Sequence, residues 1–165
     1  MINAAIDSTD EFLAIHSKKA WKQLDEFEIG VLDPNSVQKA AADDAVATDD
    51  VALNPREYRK FKLAEITQLS HDTKRWTFDL QTPDTKLGLP VGKHILLRAN
   101  INGKNVIRAY TPTSSDKDLG KVEFVIKVYP PLPPKFPLGG VFSQYMDSLK
   151  VGDSLEMKGA LGEIV

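Results

Sequence analysis

Arg108-Ala109-Tyr110-Thr111-Pro112-Thr113-Ser114-Ser115 is the first run whose residue types could do chemistry together. On a strand, Arg108 and Tyr110 project from one face. A guanidinium beside a flat phenol, followed by a hydroxyl-rich turn, suits a ligand with both a phosphate and a planar ring. Guanidinium grips phosphate oxygens in a two-pronged fork. Tyrosine covers or edges a conjugated ring, and Thr111 and Thr113 can hydrogen-bond to ring heteroatoms. An exposed strand end with a Pro turn accounts for the same letters.

Three other segments carry weaker signals. In Phe136-Pro137-Leu138-Gly139-Gly140-Val141-Phe142-Ser143, two glycines open a helix. Its first-turn N–H groups lack intrahelical partners, and the positive end of the helix dipole favours an anion there. The glycine pair lets a phosphate approach the backbone, and Ser143 adds a hydroxyl. A plain loop-to-helix junction is the other reading. In Val125-Ile126-Lys127-Val128-Tyr129 a lysine interrupts an apolar strand. Such a lysine faces either a ligand or solvent on a one-sided sheet. His16, in Phe12-Leu13-Ala14-Ile15-His16-Ser17, could ligate haem iron axially or simply sit on a helix surface. His71 falls in a polar turn and His94 at a strand start, so no second axial histidine is available from this helical segment.

The elements that must position these residues divide the chain into three parts. Residues 7–32 read as helical. Ser8 to Glu11 has the capping-box form, Ala20, Leu24 and Phe27 recur at helical spacing, and Gly30 is a plausible stop. Residues 33–54 hold no aromatic residue and five Asp, four of them in the pairs Asp43-Asp44 and Asp49-Asp50, and read as a flexible hinge. From Pro55 onward the pattern is β. Trp76, Phe78 and Leu80 alternate with polar residues, as do Val122, Phe124, Ile126 and Val128. Val125, Lys127 and Tyr129 take the other face of that second strand. Ile95-Leu96-Leu97 and Val106–Tyr110 flank Asn102-Gly103, a strong hairpin-turn signal. Val141 to Leu149 reads as a short helix and Ser154 to Lys158 as a last strand. Several short strands, frequent turns and one helix predict an antiparallel barrel or sandwich.

Composition excludes several classes. With no Cys, the 165 residues offer no disulfide, no Cys-ligated zinc and no iron–sulfur cluster. A formal net charge of -2 argues against nonspecific nucleic-acid binding. No apolar run reaches the roughly 20 residues that span a bilayer, and the N-terminus lacks the pattern of a secretory signal. Ten Pro and ten Gly are unevenly placed, with five of the prolines between Pro130 and Pro137.

Taken in order, RAYTPTSS, VIKVY and PKFPLGGVFSQYMDSLKVGDSLEMKGALGEI resemble the flavin domain of the cytochrome b5 reductase family, itself part of the ferredoxin-reductase-type flavoproteins. The resemblance runs from about Arg56 to Val165. Ala109 and Thr113 look most like eukaryotic assimilatory nitrate reductase, since free-standing cytochrome b5 reductases usually carry Pro after the Arg. STDEFLAIHSKKAWKQLDEFEIGVL is similar to the end of that family's cytochrome b5 domain. The resemblance implies a mainly β fold: a six-stranded antiparallel Greek-key FAD-binding barrel with one helix over 55–165. A cytochrome b5 remnant over 1–32 and a flexible hinge over 33–54 would precede it.

The same resemblance implies roles. Arg108 would bind the FAD pyrophosphate, with Ala109 beside it; Tyr110 would pack along the flavin and ribityl chain, and Thr111 would lie near the reactive ring nitrogen. Val125, Lys127 and Tyr129 would line FAD on the next strand. Gly140, Val141, Phe142 and Ser143 would hold the pyrophosphate, and Phe136 would lie on the adenine side. His16 would be one axial haem ligand, half a metal site, and no catalytic residue is assigned. The family's histidine before Pro-Lys-Phe is replaced here by Pro130-Pro131-Leu132-Pro133-Pro134, so its contact is lost. A His-Pro-Gly-Gly haem motif, a nicotinamide-nucleotide domain after Gly162 and a molybdenum domain have no counterpart in these residues, which implies a fragment not active alone. In the intact family enzyme, NADH or NADPH reduces FAD, and electrons pass through haem b to a molybdenum cofactor that reduces nitrate. The resemblance further implies a cytoplasmic homodimer when intact, with no nucleic-acid or membrane partner. Two other readings stay open. One is a cytochrome b5 reductase-type oxidoreductase with an unrelated N-terminal extension; the other is a non-catalytic β-barrel module, which would purify colourless.

Overall fold

The computed structural model describes residues 51–162. The helical segment over 7–32, His16 and residues 33–50 of the expected hinge lie outside the described residues. Six strands and one helix follow: β1 Arg59–Gln68, β2 Thr73–Asp79, β3 His94–Ile101, β4 Lys104–Tyr110, β5 Lys121–Lys127, α1 Val141–Ser148 and β6 Ser154–Leu161. They form one sheet in the order β4-β3-β6-β1-β2-β5, with every neighbouring pair antiparallel. β6 inserts between the β1–β2 and β3–β4 hairpins, which is the Greek-key arrangement. The sheet curls into a half-barrel, and its edge strands β4 and β5 are joined without a ladder. The Thr113 N–H donates to Glu123 O at 2.8 Å, and the Glu123 N–H donates to Ser114 Oγ at 2.9 Å.

The alternating runs become the inner face. Trp76 and Phe78 of β2 pack with Val122, Phe124 and Ile126 of β5, all buried. Phe78 meets Phe124 edge-on, with ring centroids 6.2 Å apart, a favoured aromatic geometry. Ile95, Leu97, Leu155 and Met157 fill the middle, and Phe142 and Met146 bring α1 onto the same core. Asn102 and Gly103 both take positive φ, 53° and 77°, as the two central residues of a tight type I′ turn require.

Several boundaries differ from the sequence reading; β6, expected to end at Lys158, runs on to Leu161, and β4 starts at Lys104 rather than Val106. The last four residues of the expected hinge belong to the fold. Val51 forms a parallel bridge with Lys86, Ala52 and Leu53 are buried, and their N–H groups donate to Lys86 O and Leu87 O. Arg59 Nη1 holds the Val51 and Ala52 carbonyls at 3.2 and 3.0 Å. Ala52 and Leu53 find core space that the acidic residues before them concealed. The β5 ladder ends at Lys127 because the Val128 N–H turns to Asp72 O at 2.7 Å. Finally, α1 stops at Ser148, with Leu149 extended as its C-cap.

Candidate functional site

Tyr110 ends β4, opposite Ile95 of β3. Its ring lies 6.5 Å from Phe124 and 5.9 Å from Phe142, so it touches β5 and α1 together. Burial raises its phenol above the usual range, Tyr129 adds to the rise and the Arg108 charge opposes it. Tyr110, Phe124 and Phe142 thus form one neighbourhood at the end of β4. Arg108 stands two residues back on the same face, and its Nη1 donates to Ile107 O at 2.6 Å. Ala109 pairs with Leu96 and, by strand alternation, points its methyl to the opposite face. Ala109 therefore offers this neighbourhood its backbone alone. Thr111 follows, exposed.

On β5, Val125 and Lys127 are exposed on the face opposite the core, and Tyr129 is 55% exposed just beyond the strand. Lys127 Nζ lies 5.8 Å from the Tyr129 ring centroid. It is also ion-paired, 2.8 Å from Asp72 Oδ2 in the β1–β2 turn. That contact lowers the Asp72 carboxyl to about 2 and raises the Lys127 ammonium. Asp72 escaped the sequence reading. Ser70-His71-Asp72-Thr73 reads as an ordinary polar turn, and nothing local couples it to a lysine on β5.

The chain then reaches the start of α1. Gly139 has φ of 62°, and a Cβ there would lie 2.5 Å from Tyr129 O. The N-cap, Gly140, brings no side-chain cap, and the first turn holds no acidic residue. The first intrahelical bond runs from the Gln144 N–H to Gly140 O. The N–H groups of Val141, Phe142 and Ser143 therefore precede the helix ladder, as an anion site requires. Gly140 touches Tyr129 directly: its N–H donates to Tyr129 O at 2.8 Å. The far end of the helix is tied to β2, where Trp76 Nε1 donates to Met146 O at 3.1 Å and Lys74 pairs with Asp147.

Two expected contacts take a different form. The Ser143 hydroxyl, expected to face an anion, is buried. It donates to Gly140 O at 2.9 Å and accepts the Tyr129 N–H at 3.1 Å. Its proton is committed, which leaves only the Ser143 backbone N–H for an anion. Ser143→Ala is accordingly expected to lower stability by about 1 kcal/mol in chemical denaturation while changing phosphate-ligand affinity less than twofold, a small effect on the same scale. The Phe142 side chain is core, so it too can serve a ligand only through its backbone. Phe136 is 58% exposed. It sits in a small bridge with Leu132, and its carbonyl accepts the Gly139 N–H at 3.1 Å.

The structure thus brings Arg108, Tyr110, Lys127, Tyr129 and the start of α1 together, with Phe136 adjoining through Gly139. A cationic rim, exposed aromatic surface and an uncapped helix start fit a phosphorylated, ring-bearing cofactor such as FAD. Among the described residues, no cluster of three His, Asp or Glu could hold a metal. No helix there is long and apolar enough to cross a membrane.

Comparison with known proteins agrees with this chemistry. The chain is 46% identical to an NADH nitrate reductase of Brassica napus over 99% of its own length and 20% of the relative's. It is 43% identical to the NADH nitrate reductase of Volvox carteri, over 100% of this chain and 20% of that one. The chain thus spans about a fifth of the length of these relatives. Among solved structures, the cytochrome b5 reductase domain of Ulva prolifera nitrate reductase superposes with a TM-score of 0.65 at 42% identity, covering 68% of this chain and 43% of that one. The CS-b5R domains of human Ncb5or give 0.53 at 27% identity, covering 66% and 31%. The model of the oxidoreductase FAD-binding domain family matches residues 60–165, and the chain belongs to that family.

Proposed function

We propose that this chain is the FAD-holding electron-transfer segment of an NAD(P)H-dependent nitrate reductase. The observation that carries the cofactor reading is the uncapped start of α1, which Tyr129 meets through Gly140 and Tyr110 through Phe142, with Lys127 beside Tyr129 and Arg108 two residues before Tyr110 on β4. Support for nitrate reductase comes from the Brassica and Volvox relatives, whose similarity covers 99% and 100% of the chain and so includes the residues before the barrel. When bound, FAD links two-electron hydride donors to one-electron acceptors. The chain's own residues supply grip and orientation. Arg108 and the N–H groups of Val141, Phe142 and Ser143 would hold the pyrophosphate. Tyr110 would flank the flavin with Thr111 near its ring, Val125, Lys127 and Tyr129 would line the neighbouring strand, and Phe136 would shield the adenine side. In the whole enzyme, electrons would come from a nicotinamide nucleotide and leave to haem, with His16 one of its axial ligands, and then to a molybdenum cofactor. A cytoplasmic homodimer completes the reading.

FAD titration of the purified chain tests it. Saturable uptake, with the yellow flavin absorbance retained through gel filtration, is expected. A well-folded chain that stays colourless at saturating FAD would return the site to a bare β-barrel module. In the full-length protein, His16→Ala should abolish the haem absorbance band, whereas a cytochrome b5 reductase with an unrelated extension would have no such band to lose.

A further inference from the structure

We infer that Asp72 is a positioning residue for the cofactor face, holding Lys127 and the exit of β5 in place; the inference rests on the FAD reading above. Asp72 grips two successive residues of β5's end. Its carboxylate takes the Lys127 ammonium at 2.8 Å, and its carbonyl takes the Val128 N–H at 2.7 Å. The next residue, Tyr129, is held through its N–H by Ser143 at 3.1 Å. Residues 127 to 129 are thus fixed one after another where they pass the start of α1, and Asp72 supplies two of the three fixings.

The carboxylate is itself held. Ser70 Oγ and Thr73 Oγ1 each donate to Asp72 Oδ1 at 3.0 Å, leaving Oδ2 for Lys127. His71, mostly exposed, approaches Oδ2 at 3.4 Å. The Asp72 side chain is 19% exposed and that of Lys127 52%, so the anchor is the covered member and the lysine the presented one. A lone lysine on a flexible four-carbon stem loses considerable rotamer freedom when a ligand orders it. A lysine already held loses less on binding, which is how preorganisation raises affinity. The depressed Asp72 carboxyl and raised Lys127 ammonium fit the same geometry.

The test is a double-mutant cycle on the full chain, read by FAD affinity and by the acylation rate of the Lys127 amine, followed by peptide mass spectrometry. Asp72→Asn keeps the shape and removes the charge; Lys127→Met removes the ammonium. Each single variant is expected to bind FAD about threefold to fivefold more weakly, the upper range for an exposed ion pair. If Asp72 acts through Lys127, the double variant binds no worse than Lys127→Met alone. Asp72→Asn should also speed acylation of Lys127 at least about twofold, since release from the carboxylate frees and acidifies the amine. Additive losses in the cycle, unchanged or tighter FAD binding in Asp72→Asn, or an unchanged acylation rate each overturn the positioning role. Wild-type protein that takes up no FAD overturns the cofactor reading and the inference with it, and the acylation rate still reports whether the ion pair exists. Thermal unfolding of each variant separates these results from loss of the fold.

Discussion

Arg108→Ala is expected to give a folded protein that purifies without colour. A fork of two charge-assisted hydrogen bonds to a pyrophosphate contributes about 1.5 kcal/mol per bond at the low end. Losing both therefore weakens FAD binding roughly 100-fold. Stability should change little, because the Arg108 side chain is exposed and is not among the residues packed in the core. Arg108→Lys keeps the charge and loses the fork, so its affinity should fall between the two. Flavin fluorescence titration gives the affinities, and urea unfolding gives the stabilities. An alanine variant that binds FAD like the wild type would remove Arg108 from the site.

The largest effect on the fold should come from Trp76. Its side chain is fully buried and joins β2 to α1 through Met146 O. Trp76→Ala is expected to lose about 3–5 kcal/mol, a large share of the roughly 5–15 kcal/mol that holds a domain together. Trp76→Phe separates packing from tethering. Met146 O still accepts the Leu149 N–H at 3.3 Å, so deleting the indole bond should cost only about 1 kcal/mol. Because that bond ties the C-terminal half of α1 to the sheet, the Phe variant should also bind FAD more weakly than its stability loss explains. Urea unfolding with and without FAD measures both effects. Equal affinity in the Phe variant would mean that the helix start is held from its own end, through Ser143 and Gly140.

What could be read from the letters was whatever repeats locally. β2 and β5 were legible because their apolar residues alternate without interruption. The β3–β4 hairpin was legible because Asn-Gly favours positive φ. β1 carries no such uninterrupted alternation. A bulge between Leu63 and Glu65 shifts the phase, so Phe61 and Leu63 face the core and then Ile66 does. A period-two pattern cannot survive that extra residue. The site divides the same way. Arg108, Tyr110 and the paired glycines announced themselves by type and spacing. Asp72 acts through a partner far along the chain, and the Ser143 hydroxyl turns away because Tyr129 and Gly140 reach it first. Both depend on which strands become neighbours, which residue types alone do not state.

The position of β6 bears on how such a domain comes off the ribosome. β6 is the last of the described strands in chain order, yet it sits at the middle of the sheet, pairing with β1 on one side and β3 on the other. Until it emerges, the β1–β2–β5 and β3–β4 groups each present an unpaired inner edge, the kind of surface that invites wrong pairing. Arg59 must wait for Met157, and pairings between such distant residues form slowly. Nascent chains of this design therefore pass through an interval, while residues 128–153 are made, in which both groups are synthesised but unjoined and open to chaperone capture or misassembly.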